Sequence, residues 1–250
     1  MKIFSINIFG FTLAPSYYGL MYAIGFILGY WILLRRKKVE ESALDSLIMY
    51  IFFWVMLGGR LGYVLFYNLS YYIDNPSKIL AFWNGGMSFH GGVIWVIIAM
   101  LLFSLIHKKN FYLVADEVTA VLPLWLGLGR IGNYLNKELL GRPYDGFLAI
   151  EKNGLKYFPT PLLESFLEGI VLWCILLYIR NNKTSDGQVG WAFLFFYGIF
   201  RFAVEFIRLP DVQLGYLAFW WVTMWHILSI PMILFWLYYW KVRNRPLITE

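Results

Sequence analysis

Charged side chains are scarce in this sequence: Asp, Glu, Lys and Arg make up 14% of its 250 residues, against about 25% in a soluble globular domain. The shortage excludes a solvated surface over most of the chain and points to a polytopic membrane protein. Cysteine is nearly absent, and a lone Cys174 excludes an intramolecular disulfide. Histidine occurs only at His90, His107 and His226. These are too dispersed for a recognisable ligand set, so no metal is expected. There is no G-x-S-x-G elbow, no H-E-x-x-H pair and no P-loop, and no cofactor is expected. Nor is a cleavable leader expected, because the first charge cluster follows the first apolar run without a small-residue site to end it.

What the chain does have is apolar and aromatic surface. It is 60% hydrophobic and 21% aromatic, with a mean hydropathy of +0.61. Seven apolar runs can be read, roughly at 17–34, 44–66, 88–106, 112–131, 162–179, 189–207 and 219–240. Runs this long cross a bilayer as helices. The expected fold is therefore all-α, with seven transmembrane helices in a single integral-membrane domain over 1–250. The second run is interrupted by Gly58, Gly59, Arg60 and Gly62 and is expected to end or bend there. The net charge of +6 does not indicate a nucleic-acid partner, because the basic residues sit at the ends of apolar runs. That is the pattern of topology signals and lipid headgroup contacts.

The basic clusters set an orientation. Arg35 to Lys38 follow the first run, Lys108 and Lys109 the third, Arg180 and Lys183 the fifth, and Lys241, Arg243 and Arg245 the seventh. With seven spans all four clusters share one side, and the positive-inside rule makes it cytoplasmic. The amino terminus is then outside and the carboxyl terminus inside. The outer side receives Tyr18, Arg60, His90, Arg130, Asn133, Arg201, Glu205 and Arg208, together with an extracytoplasmic loop region around 132–161.

The segment GRIGNYLNKELLGRP at 129–143 carries Arg130, Asn133 and Glu138 at the end of an apolar run. A charge at the centre of a span costs about 2.5–3.5 kcal/mol on insertion scales, so such residues usually mark a site. Gly129 and Gly132 flank the arginine and permit close approach of a helix or ligand. Arg201 and Glu205 share a helix face, with Arg208 one turn further. Arg60, Arg130, Arg201 and Arg208 outnumber the acids read as buried, mainly Glu138 and Glu205. A surplus of guanidinium suits a phosphate anion such as a phospholipid headgroup. His226 reads as a hydrogen-bonded packing residue, His107 as a headgroup-level charge, and His90 as either a helix-start residue or a general base. The aromatic stripe around Phe193, Tyr197 and Phe200 reads as lipid-facing or core surface.

Five segments carry a family resemblance: YGLMYAIGF (18–26), GGRLGYVLFYN (58–68), GGMSFHGG (85–92), GRIGNYLNKELLGRP (129–143) and FYGIFRFAVEFIRLPD (196–211). In order and spacing they closely resemble prolipoprotein diacylglyceryl transferase, over nearly the whole chain. The resemblance implies an enzyme of the bacterial inner membrane. It would move the diacylglyceryl group of phosphatidylglycerol onto the lipobox cysteine of a preprolipoprotein, forming a thioether and releasing glycerol phosphate. It also marks Tyr18, His90, Arg130, Asn133, Glu138, Gly141, Arg201 and Glu205 as functional positions.

On that chemistry Arg130 and Arg201 stabilise the leaving phosphate, with Glu205 orienting Arg201. His90 is the candidate base for the thiol, water and the lipid phosphate being the alternatives. Asn133 and Tyr18 hydrogen-bond glycerol or phosphate, Gly141 allows close backbone approach, and Arg60 and Arg208 add cationic contacts. The chain departs from the family's usual pattern at Phe158, Pro161 and Leu163, at Trp225-His226, and at Trp95. These departures bear on the acceptor side and on helix packing. Two alternatives stand beside this expectation: a divergent paralogue with another acceptor or no activity, and a non-enzymatic phospholipid-binding or transport membrane protein. A transporter of repeated halves finds no internal repeat in the sequence to support it.

Overall fold

The computed structural model describes residues 6–8, 11–13, 17–82, 86–210, 215–219 and 221–243. Helices lie on all seven apolar runs. They are α1 (Tyr17–Arg36), α2 (Glu41–Tyr67), α3 (Leu69–Asp74), α4 (Phe89–Ile106), α5 (Phe111–Thr119), α6 (Leu122–Leu135), α7 (Thr160–Glu164), α8 (Leu172–Asn182), α9 (Gln188–Glu205) and α10 (Met224–Arg243). The fourth run divides into α5 and α6 just before Pro123, which opens α6 where its missing N–H leaves no intrahelical bond unmade. The fifth run divides differently, with a π-helical segment, Ser165–Val171, joining α7 to α8. Glu41–Leu65, Phe111–Leu135 and Thr160–Asn182 are long and apolar enough to cross a membrane. Gly91–Ile106 and Met224–Tyr239 are shorter apolar helices.

The fold is not purely α. β1 (Ile6–Ile8) pairs antiparallel with β2 (Phe11–Leu13), and β3 (Ile150–Lys152) pairs antiparallel with β4 (Leu155–Tyr157). The second ribbon turns through Asn153 at φ 54° and Gly154 at φ 77°, the left-handed pair that closes a tight hairpin. It gives part of the 132–161 connection a fixed shape.

Two compact units form: Leu33–Ala115, and Met1–Ile32 with Asp116–Glu250. Within the first, α2 does not break at its glycines. It runs on because those glycines face α4. A Cβ on Gly62 would lie 2.8 Å from the Cα of Gly91, and one on Gly91 would overlap the Gly58 carbonyl and sit 2.9 Å from Gly62. Small residues on both helices thus bring two backbones into contact. Trp95 takes the space that a side chain at Gly58 would need and stacks on Trp54 at 5.0 Å. Gly91→Val should therefore overpack this seam and cost at least about 1–3 kcal/mol. Thermal unfolding in detergent checks this, and an unchanged midpoint would refute the packing.

Arg60 is fully buried in this unit. Its guanidinium donates to the carbonyls of Ile79 (2.8 Å), Lys78 (2.9 Å) and Gly86 (3.2 Å), and stands 5.2 Å from the Tyr72 ring centroid. These bonds tie Lys78, Ile79 and Gly86 to α2. Nearby, the Ser88 N–H donates to the Gly59 carbonyl at 2.8 Å, and the Ser88 hydroxyl caps α4 by accepting from the Gly91 N–H.

The other unit is built around Leu126, Leu172, Leu176, Val189, Ala192 and Phe193. Gly127 of α6 meets Gly169 of the π segment so closely that a Cβ on either would lie 2.9 Å from the other's Cα. Tyr22 and Trp125, in edge contact at 4.6 Å, pack α1 onto the same helix, with the Tyr22 hydroxyl over Gly129. The start of α9 is held by buried Asp116, whose carboxylate accepts from the N–H groups of Gly187, Val189 and Gly190. Lys183 completes that cap. Burial would lower its ammonium, but hydrogen bonds to Asp116 and Asp186 outweigh it and hold the group above the usual lysine range.

Candidate phosphate-handling site

The Gly127–Gly169 contact explains how Arg130 reaches across to the fifth run. One turn beyond Gly127, its Nε lies 3.1 Å from Glu164 Oε2 and its Nη2 lies 3.3 Å from Glu168 Oε2. Arg130 retains 15% side-chain exposure, whereas both glutamates are fully buried. Glu164 ends α7 and Glu168 lies in the π segment. Four residues apart, they present two carboxylates to the same neighbours, and π turns recur at functional sites.

Arg201, fully buried on α9, joins the cluster from the other side. Its Nη1 donates to Glu164 Oε1 and lies 3.6 Å from Glu168 Oε1, while Nη2 donates to Glu205 Oε2 at 2.5 Å. The i,i+4 spacing that pairs Arg201 with Glu205 was legible in the sequence; the bridge through Glu164 to Arg130 was not. Glu205 is held in turn by the Thr223 hydroxyl at 2.9 Å, and the Thr223 N–H donates to His226 Nδ1 at 3.1 Å. Trp225 lies under Arg201, 4.6 Å from guanidinium carbon to ring centroid, in cation–π contact. The departures at Trp225-His226 thus pack against Arg201 and its partners. His226 is a packing residue, enclosed by Phe202, Phe206 and Trp221.

The surplus of cations read from the sequence does not hold within this cluster. Arg130, Arg201 and Arg208 are matched by Glu164, Glu168 and Glu205, Arg208 standing 3.8 Å from Glu205. Glu138, read as a buried acid, is exposed. It is nonetheless fixed: Asn133 donates its amide to Glu138 Oε2 at 3.0 Å and accepts the Glu138 N–H at its own carbonyl. Lys137 at φ 55° and Leu139 at φ 54° flank it, two non-glycine residues in the left-handed region, the kind of local strain that clusters at binding sites. Asn133 itself is buried.

Three chain segments cross at Gly141. It bridges to Arg208, donates its N–H to the Phe158 carbonyl at 3.0 Å, and is followed by Arg142, whose N–H donates to Ile207. A Cβ there would overlap the Thr160 hydroxyl and lie 2.9 Å from Phe158 Cβ. The close approach that Gly141 permits is therefore one of the chain to itself, and it carries Arg208 to the cluster. Tyr197, read as part of an aromatic stripe, is buried on the inner side of α9, and its hydroxyl has no hydrogen-bond partner among the described residues. Glu168, Tyr197 and Thr223 were missed by the sequence reading, and Glu164, which keeps the family's residue, was given no role in it. The signal for the two glutamates was present, as unpaired acids inside an apolar run. The side chains of Tyr18 and His90 lie outside the described residues.

Comparison with known proteins places these residues in context. A family model described as Prolipoprotein diacylglyceryl transferase matches residues 5–242. A phosphatidylglycerol–prolipoprotein diacylglyceryl transferase of Mannheimia succiniciproducens is 46% identical over 235 residues, covering 90% of this chain and 88% of its own. One from Francisella tularensis subsp. holarctica is 44% identical over 241 residues, with 92% and 90% covered. Another, from Nitratidesulfovibrio vulgaris, is 43% identical over 235 residues, with 89% of each chain covered.

Proposed function

The chain belongs to the prolipoprotein diacylglyceryl transferase family, and from that premise we propose that it transfers the diacylglyceryl group of phosphatidylglycerol to the lipobox cysteine of preprolipoproteins. The observation that carries this reading is the set of half-buried Arg130, buried Arg201 and their buried carboxylates, a place where phosphate charge can be met with little water. The cysteine sulfur attacks the glycerol carbon that bears the phosphate. A C–S bond forms, the C–O bond breaks, and its electron pair leaves with the phosphate oxygen as glycerol phosphate. Arg130 and Arg201 stabilise the charge that grows on that oxygen, and the carboxylates of Glu164 and Glu205 fix the aim of Arg201. His90 takes the thiol proton. Tyr18 and Asn133 bind the glycerol and phosphate, with Glu138 holding Asn133 in place. Arg208 adds positive charge beside Glu205. Arg60 holds the carbonyls of Lys78, Ile79 and Gly86 to α2.

The protein is a multi-pass membrane protein. Seven spans with the amino terminus outside are supported by the basic clusters after the first, third, fifth and seventh runs, which then share the cytoplasmic side. The site then opens outward, in the inner membrane, where an exported preprolipoprotein presents its lipobox. Purified protein incubated with phosphatidylglycerol and a lipobox peptide should yield the thioether-linked diacylglyceryl peptide and glycerol phosphate. If neither forms where a relative is active, the proposal fails.

A further inference from the structure

The charge count at the site raises a question that the transfer reaction alone does not answer. Arg130, Arg201 and Arg208 face Glu164, Glu168 and Glu205, so these six side chains are neutral as a set when all are ionised. A phosphodiester brings one further negative charge. To reach Arg130 and Arg201 it must compete with the carboxylates already paired there, and the set would then carry an unbalanced charge in a water-poor interior. The smallest correction is one proton on a carboxylate.

The geometry singles out which carboxylate. Glu164 accepts from Arg201 and lies 3.1 Å from Arg130. Glu205 is held at 2.5 Å by Arg201 and at 2.9 Å by Thr223. Glu168 is held least, at 3.3 Å from Arg130 and 3.6 Å from Arg201, beyond the length of strong charge-assisted bonds. Its Oε1, like Glu164 Oε2, is buried without a hydrogen-bond partner among the described residues, so the lengths of its ion pairs are what set Glu168 apart. Among the described residues, the charged and titratable groups around it are Arg130 on α6, backed by Tyr22 of α1, Glu164 one turn back, and Arg201 and Tyr197 on α9. Glu205 and Arg208 stand beyond Arg201, and His226 of α10 beyond Glu205. Any anion that draws Arg130 and Arg201 to itself strips Glu168 of both partners.

We propose that phosphatidylglycerol enters this site together with a proton, taken up by Glu168. The inference rests on the transferase reading and adds to it that lipid binding is linked to pH. A carboxyl that gains a proton on binding favours the complex at low pH, so affinity falls as pH rises.

The test is calorimetric titration of short-chain phosphatidylglycerol into the full chain in detergent, repeated in buffers of different ionisation enthalpy. Uptake approaching one proton per lipid is expected, with affinity falling up to about tenfold per pH unit between about pH 6 and 9. Glu168→Gln should bind lipid without proton uptake and with a flat pH profile, and Glu168→Asp should keep the uptake. Proton-free binding by the unaltered protein across that range overturns the proposal whether or not the glutamine variant folds. Undiminished uptake by a folded Glu168→Gln overturns it as well. A protein that binds no phosphatidylglycerol at all overturns the transferase reading too, whereas proton-free binding leaves that reading standing.

Discussion

Arg201→Ala should lower turnover by at least roughly 10²–10³-fold, the loss seen when one preorganised donor is removed from developing anionic charge. The side chain is fully buried and touches Glu164, Glu168, Glu205 and the Trp225 ring. Its removal takes the hydrogen-bonding guanidinium from both Glu164 and Glu205, leaving Glu164 to Arg130 and Glu205 to Arg208, and breaking a buried pair in this way costs about 3–5 kcal/mol of stability. Both effects should be read on the same preparation, turnover from thioether product and stability from thermal unfolding. Arg201→Lys separates them. It keeps a positive charge near Glu164 and Glu205, so it should recover much of the stability. It lacks the planar fork that reaches Glu164 and Glu205 at once, so turnover should stay low. Near-normal turnover in Arg201→Ala would remove this residue from the mechanism.

Glu164→Ala should be nearly as severe, for a different reason. Glu164 is the only described residue whose carboxylate stands within ion-pair distance of Arg130 at 3.1 Å while also accepting a hydrogen bond from Arg201. Losing it sets two guanidiniums side by side with Glu168 and Glu205 left to hold them. A stability loss of about 3–5 kcal/mol is again expected, with turnover falling because neither arginine keeps its aim. Glu164→Gln retains the shape and one hydrogen bond and should lie between the alanine variant and the parent. Unchanged unfolding of Glu164→Ala would contradict the bridging geometry.

Most of the helical plan was legible because apolar runs, terminal charge clusters and i,i+4 pairs are local signals. The Arg201–Glu205 pair is of this kind. So was Arg130 as a charge at the end of an apolar run, a residue that needs partners there, and its ion pairs with Glu164 and Glu168 supply them. The misreadings share one cause. Whether Gly58 and Gly62 end a helix or seat another against it depends on a partner about 30 residues away in sequence, and Gly91 on α4 is that partner. The acids that balance Arg130 sit on a different run, and only the Gly127–Gly169 contact places them. Counting Glu138 and Glu205 while passing over Glu164 and Glu168 turned a balanced cluster into an apparent surplus of cations. Two local signals were readable but unused. Asn153-Gly154 announced the hairpin inside the long connection, and two acids four residues apart in an apolar run announced the second half of the site.

On the proposed mechanism Arg130 and Arg201 together receive the phosphate of the donor lipid. An experimental structure of the protein with phosphatidylglycerol bound tests this most directly. The phosphate should lie within hydrogen-bonding distance of both guanidiniums, with Glu168 displaced from them. A headgroup bound elsewhere, with Arg130 and Arg201 still paired to Glu164 and Glu168, would contradict it.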